Sequence, residues 1–401
     1  MTRSRTPGPL QGIMLLLPIT MSVVGVSVLT PVVPLLIKQF QSIPNHEYLV
    51  IGGVLTMPAI WMLLFSPVAG WLADRFGRRN LLVVSMGVYA FMGAAPVVLD
   101  NLYLIIVSRM GVGICESIVA TVSTTMISDY FTGRNRERWL ASQTAVASLS
   151  ALGIIYLGGV LGSSLGWRGP FYVYLYSLPL ALCVWATVWE PARATASGHE
   201  PSEPGVPFPA ARTLGICAIT LLASISFYTV ITKNAQALTA IGVTDPAMIG
   251  KYTMLASIGV PLGTFIYWAL ANLNIAWLLL IDFGLVGLGF CWMGQASAPP
   301  SYIAGSFINQ IGCGLVLPTM LVWATRGVDY SVRGRVNGIW QAAFAIGQFL
   351  SGMVVTLLAS TLHGLLASFT LMGELLLVFA LAGGITGLLN RARRGALLGR
   401  S

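Results

Sequence analysis

About twelve unbroken apolar runs divide this chain, near residues 11–37, 48–72, 80–99, 102–127, 140–165, 170–189, 213–238, 248–271, 275–296, 301–325, 336–361 and 365–389. Each holds roughly 20 residues or more, enough for a helix rising 1.5 Å per residue to cross a hydrocarbon core about 30 Å thick. Inside such a core each backbone N–H and C=O needs a partner from the chain itself, which leaves only helices and closed barrels. Barrel strands alternate apolar and polar residues, and these runs do not. The expected fold is an all-α membrane protein with twelve transmembrane helices. Composition agrees: 9% of residues are charged and 56% hydrophobic, with a mean hydropathy of +0.81. A water-soluble surface for 401 residues needs far more charge.

The net charge of +9 invites a nucleic-acid reading, but the placement of the charges argues otherwise. If the chain crosses at every run, seventeen of the 22 Lys and Arg residues fall on one side. Lys38, Arg168 and Lys251 fall on the other, and Arg109 and Lys233 lie within runs. Such a bias orients a membrane protein with its basic side in the cytoplasm, so both termini are expected there. No nucleic-acid partner is needed. The start, Met1-Thr-Arg-Ser-Arg5, leads into the first run without a small-residue cleavage site, as in a retained helix. Cys115, Cys183, Cys217, Cys291 and Cys313 sit in apolar runs without paired spacing, so neither disulfides nor a metal site is indicated.

Residues 191–212 break the rhythm with Pro191, Pro201, Pro204, Pro207 and Pro209 among small and polar residues. That composition reads as a cytoplasmic linker. It separates an N-terminal six-helix bundle (1–190) from a C-terminal six-helix bundle with a short basic tail (213–401). The halves look duplicated. Leu72-Ala-Asp74 recurs as Leu270-Ala-Asn272, a shift of 198; Asp129-Tyr130 before an arginine cluster recurs as Asp329-Tyr330 before Arg333 and Arg335, a shift of 200. Two pseudo-symmetric bundles around a midplane site are the architecture of a rocking transporter.

Between the second and third runs stands Gly70-Trp-Leu-Ala-Asp74-Arg75-Phe-Gly77-Arg78-Arg79. It resembles, position for position, the loop after the second helix in the major facilitator superfamily. With the repeat, the resemblance covers essentially the whole chain. It implies a twelve-helix secondary transporter, expected as a monomer in a bacterial inner membrane, with a small-molecule substrate, protons and the lipid bilayer as its partners. It also implies a cytoplasmic latch made by Gly70, Asp74, Arg75, Gly77, Arg78 and Arg79. In that latch Asp74 sits against the N-terminus of the eleventh helix, and Arg78 pairs with Asp129, with Arg136 and Arg138 adding contacts. Asn272 and Leu273 replace Asp74 and Arg75 in the second copy, which leaves the latch strong on one side only.

Ionisable groups at bilayer depth cost roughly 2.5–3.5 kcal/mol each on insertion scales, so each calls for a role. Arg109 and Glu116 share a face of the fourth run, about 10 Å apart along the axis, too far for a direct bond. Arg109-Met-Gly-Val-Gly113-Ile-Cys-Glu116 resembles the fourth-helix arginine motif of proton-coupled members. Its trailing glutamate is similar to that of spinster-like lipid transporters and organic anion:cation symporters. There the glutamate is a candidate proton acceptor, because removing a carboxylate from water favours its neutral form. The structural alternative is that Arg109 and Glu116 bond backbone or hydroxyl groups between helices. Lys233, among Thr232, Asn234 and Gln236, either snorkels to the interface or faces a hydrated vestibule where it favours an anionic group. Asp282 reads as interfacial, and Glu374 as a mid-membrane carboxyl in need of a partner, a candidate for coupling.

If the resemblance holds, the first, fourth, seventh and tenth helices line a cavity, placing Asn309 and Gln310 with Thr20, Ser22 and Ser27 on its wall. A mostly apolar wall with few hydrogen-bonding groups suits an amphipathic organic solute. The fifth run keeps the paired Gly158-Gly159 but lacks the Gly-Pro of proton antiporters of the superfamily, and the first run has no carboxylate. The expectation is therefore proton-coupled transport by alternating access, efflux ahead of uptake of an organic anion. A non-transporting receptor or scaffold is the remaining alternative. An enzyme is not expected: there is no His–Asp pair, no metal-spaced histidines and no Gly-x-Ser-x-Gly at a helix start. No catalytic residue, metal or cofactor is assigned.

Overall fold

Proline and glycine decide where the helices start, bend and stop. In a computed structural model describing residues 7–190 and 208–398, eleven helical stretches are long and apolar enough to cross a membrane. One of them, Gly133–Thr187, has 55 residues, far more than one crossing takes. It breaks at Gly166, whose φ of +69° suits a residue without Cβ, and counts as two. The described residues therefore hold twelve spanning helices and no strand. They are α1 (Pro9–Gln39), α2 (His46–Phe76), α3 (Arg78–Val97), α4 (Leu102–Tyr130), α5 (Gly133–Leu165), α6 (166–187), α7 (Ala210–Ala240), α8 (Pro246–Leu270), α9 (Ile275–Gly294), α10 (Pro299–Thr325), α11 (Tyr330–Thr361) and α12 (Leu365–Leu398).

Three helix ends differ from the apolar runs. Helix α5 begins at Gly133, so Arg134, Arg136 and Arg138 ride on its first turns and are not in a loop. Helix α7 begins at Ala210, inside the stretch expected to be linker. There the Arg212 guanidinium donates to the carbonyls of Trp323 (3.0 Å) and Arg326 (2.6 Å). Helix α12 runs on past residue 389. Hydrophobicity marks where the bilayer ends, whereas Arg and Ala extend a helix readily into water. The rest of the expected linker, residues 191–207, lies outside the described residues, as do Arg3, Arg5 and Arg400.

The chain divides into two compact units: Met1–Ser202 with Asp245–Gly250, and Glu203–Thr244 with Lys251–Ser401. In the first, α1 packs on α5, α2 on α4, α3 on α4 and α6; in the second, α7 packs on α11, α8 on α10, α9 on α10 and α12. Adding six to each helix number turns one pattern into the other, which is the duplication read from the sequence. The contacts are made by small residues, as lipid-embedded helices require. A Cβ on Gly113 of α4 would lie 2.8 Å from the Pro58 Cα of α2; one on Gly314 of α10 would lie 3.0 Å from the Val260 Cα of α8.

Helix α1 is irregular. Pro18, Pro31 and Pro34 remove backbone donors and divide α1 into short helical pieces. Helix α2 starts with a widened turn over Leu49–Thr56, where the Thr56 hydroxyl donates to Ile51 O (3.2 Å) and Gly52 O (3.3 Å). Pro58 follows at once and explains the disturbance.

Candidate functional site

The loop between α2 and α3 turns at Gly77, whose φ of +86° and ψ of 141° favour glycine. Arg78 forms ion pairs with Asp129 of α4 and, at 3.6 Å, with Asp74. This is the Arg78–Asp129 pairing that the motif implied. Arg75 lies over the rings of Trp71 (5.2 Å) and Phe76 (5.9 Å), and Gly70 has open space around its Cα. Arg136 and Arg138 are exposed and, among the described residues, enter no ion pair with Asp129. Their place on the first turns of α5 directs them elsewhere.

A partner that the sequence reading missed completes the loop. The Glu190 carboxylate, just beyond α6, accepts from the backbone N–H groups of Arg78 (2.7 Å) and Arg79 (2.8 Å) and so caps α3. Its negative charge also complements the positive end of that helix. Arg79 donates to the Trp185 carbonyl and lies over the Trp185 ring at 5.6 Å. Trp189 stacks on Tyr130, the rings 5.0 Å apart. A carboxylate at the close of an apolar run, just before Pro191, was the available signal.

Deeper in the first unit lies a buried polar cluster. Arg109 is 0% exposed, and its Nη2 donates to the carbonyls of Met92 (3.1 Å) and Gly93 (2.9 Å), near the end of α3. The guanidinium lies over the rings of Tyr174 (4.8 Å) and Phe171 (5.3 Å) of α6. A desolvated cation over two rings gains about 1–2 kcal/mol. Nε and Nη1 have no protein partner. Glu116 is 3% exposed and its Oε1 is also unpartnered, pressed against the Cα of Gly25 in α1 where any side chain would collide with it. No ion pair links Arg109 with Glu116 among the described residues, in keeping with their spacing.

Tyrosines surround the pair. Tyr89 of α3 donates to Met21 O (2.7 Å) and Tyr174 to Gly25 O (3.2 Å), two carbonyls of the irregular α1. The Tyr89 and Tyr174 rings are 5.2 Å apart, and Tyr176 bonds the Thr20 hydroxyl at 2.7 Å. These tyrosines and Gly25 were not read from the sequence. The small Gly25 and Gly93, facing Glu116 and Tyr174, were the only local hints.

In the second unit Lys233 is 1% exposed and does not snorkel: its ammonium donates to the Thr356 hydroxyl of α11 at 2.6 Å. Asn234 donates to Thr253 of α8 at 2.7 Å. Four expectations need correcting here. Asn309 points at α9, donating to Val286 O at 3.0 Å, and Gln310 lies close to the Asn309 amide at 3.5 Å. The Asn309 amide is spent on a helix–helix contact, where buried polar groups need partners, and Gln310 is buried beside it on the same helix. Asn309 stands 200 residues after Arg109, and each donates to backbone of the helix before its own in the repeat. Glu374 is exposed on the outward face of α12 with Leu375, Val378 and Leu381. Asp282, expected at the interface, is wholly buried between helices.

Residues 15–352 match the profile described as Major Facilitator Superfamily. The chain belongs to that superfamily. Its members are transporters, which places this protein among membrane carriers and not enzymes. Relatives include the class C tetracycline resistance protein of Escherichia coli, 31% identical over 160 residues, 38% of each chain. The quinolone resistance protein NorB of Staphylococcus aureus is 26% identical over 156 residues, 38% of this chain and 32% of that one. This chain thus aligns with only 38% of the first relative and 32% of the second. Among solved structures, a bacterial homologue of the human lysosomal transporter Spinster superposes with a TM-score of 0.75 at 18% identity, covering 95% of this chain and 96% of that one. The fold is therefore shared with that carrier.

Proposed function

We propose that this superfamily member is a proton-coupled secondary active transporter that moves a small amphipathic organic solute by alternating access, export being the favoured direction. Glu116 carries the reading. A coupling group must be a carboxyl whose charge is not locked by a fixed ion pair, and Glu116 is buried with an unpartnered oxygen while Arg109 is held by carbonyls and rings. The unpartnered hydroxyls of Ser22 and Ser117 and the surrounding tyrosines are polar groups of the kind that orient an amphipathic solute once a cavity opens beside Glu116. Relatives named for resistance to tetracycline and quinolones support export of amphipathic compounds. The Arg78–Asp129 pair serves the latch, and the basic bias supports an inner-membrane protein with both termini in the cytoplasm. The monomer is taken as the working unit.

A second reading has one observation of its own. Lys233 is a cation buried deep in α7, a placement that suits symport of an organic anion. Purified protein in liposomes, under a pH gradient of either sign, separates the two. Tetracycline or ethidium moving against the proton gradient supports export. Fluorescein moving with it supports anion uptake, and no gradient-driven movement of any probe contradicts both.

A further inference from the structure

Asp282 is the buried titratable group that the coupling scheme leaves unused. It stands seven residues into α9, about 10 Å from the helix start by the helical rise, and is 0% exposed. Helix α10 presses so closely that a Cβ on Gly312 would lie 2.9 Å from the Asp282 carbonyl oxygen. Helix α12 closes the next position, where the Phe283 and Phe379 rings meet at 4.9 Å. Tyr267 of α8, with Leu278 and Leu315, forms the apolar cluster of this region.

Neither carboxylate oxygen of Asp282 has a hydrogen-bond partner. The Thr319 hydroxyl of α10 lies beside it, but its single hydrogen is directed to Leu315 O at 2.9 Å. Thr319 therefore has only lone pairs to offer, and two acceptors facing each other form no bond. One added proton changes that. With a small side-chain rotation, a protonated Asp282 donates its new O–H to Thr319 Oγ1, which has lone pairs to accept it. An ionised carboxylate left here without a donor would face a desolvation penalty of several kcal/mol.

Among the described residues, the neighbours provide no opposing charge. The titratable groups near Asp282 are Tyr267 from α8 and Cys313 from α10. Arg326, at the end of α10, is within electrostatic range of Tyr267. On α12 Glu374 stands level with Cys291, about 13 Å further along α9. None of the ion pairs among the described residues includes Asp282.

We propose that Asp282 is a proton-binding site of the second unit, distinct from Glu116, in which the bound proton bridges Asp282 to Thr319. The step is a simple association: a proton from solvent adds to one carboxylate oxygen, an O–H bond forms, and no bond breaks. The carrier reading gives this site its purpose, a second proton per molecule, but the binding itself does not depend on that reading.

Infrared difference spectroscopy on the full-length protein in liposomes tests it, because the C=O stretch of a protonated carboxylic acid is separate from carboxylate bands. Asp282→Asn is expected to remove one acid component entirely, and Thr319→Val is expected to shift that component to the position of an acid without an acceptor. Glu116→Gln leaves this component in place, so failure of the coupling role given to Glu116 is seen separately, in transport. An acid region unchanged by Asp282→Asn would overturn the proposal. If that variant does not fold, an unshifted band in Thr319→Val overturns it instead.

Discussion

Removing the Glu190 carboxylate should loosen the start of α3 by a predictable amount. Glu190 accepts from two backbone N–H groups, at 2.7 and 2.8 Å, that have no partner inside the helix. Loss of a side-chain helix cap costs about 1–2 kcal/mol. The site is exposed, so solvent screens the charge and the lower half of that range applies. Glu190→Ala should therefore cost about 1.4 kcal/mol locally, which is a factor of about ten in the opening equilibrium. Hydrogen–deuterium exchange reads it directly, since amides exchange through such openings. Peptides covering residues 77–82 should exchange about tenfold faster in Glu190→Ala and about threefold faster in Glu190→Gln, which keeps one acceptor oxygen. Peptides from the second unit should be unchanged. Exchange at 77–82 equal to that of the unmodified protein would show that the carboxylate does not cap α3.

Three further outcomes follow from the packing. Gly77→Ala should destabilise the protein by about 1–3 kcal/mol through backbone strain alone, because its Cβ would meet Glu190 at an ordinary 3.4 Å; an unchanged melting temperature would contradict this. Gly113→Ala should force α2 and α4 apart and reduce the monodisperse fraction in size-exclusion chromatography. Gly153→Ala, with nothing within 4 Å, should not, and equal behaviour of the two would refute the close-contact account. Tyr89→Phe removes the side-chain donor to the Met21 carbonyl and should cost about 0.6–1 kcal/mol in a thermal-shift assay; no shift would mean that the bond contributes nothing.

The sequence revealed the spans, the duplication and the loop chemistry because each is written in local order. Run length reports bilayer thickness, and the offset between Asp129 and Asp329 reports the repeat. Gly77 and Arg78 sit in a motif specific enough to imply both the turn and the pairing with Asp129. What it hid are the directions in which side chains point. A helix in water shows its inner face by being apolar there, but a helix in lipid is apolar on every face, and that signal fades. Asp282 and Glu374 both look like single carboxyls in apolar runs, yet one is sealed between helices and the other faces outward. Asn309 looked like a cavity residue for the same reason, and only the position of Val286 on α9 shows that its amide is occupied. Tyr89, Tyr174 and Tyr176 were indistinguishable from packing residues until their hydroxyls were seen to bond α1, at Met21 O, Gly25 O and the Thr20 hydroxyl.

The central claim is that protonation of Glu116 drives solute movement. Proteoliposomes carrying an internal pH-sensitive dye, given on one side whichever probe the gradient assay shows to be carried, measure this in the unmodified protein and in Glu116→Gln. The account predicts probe-driven proton movement in the former and none in the latter, with probe exchange at equal pH retained by both. Proton movement undiminished in Glu116→Gln would contradict it.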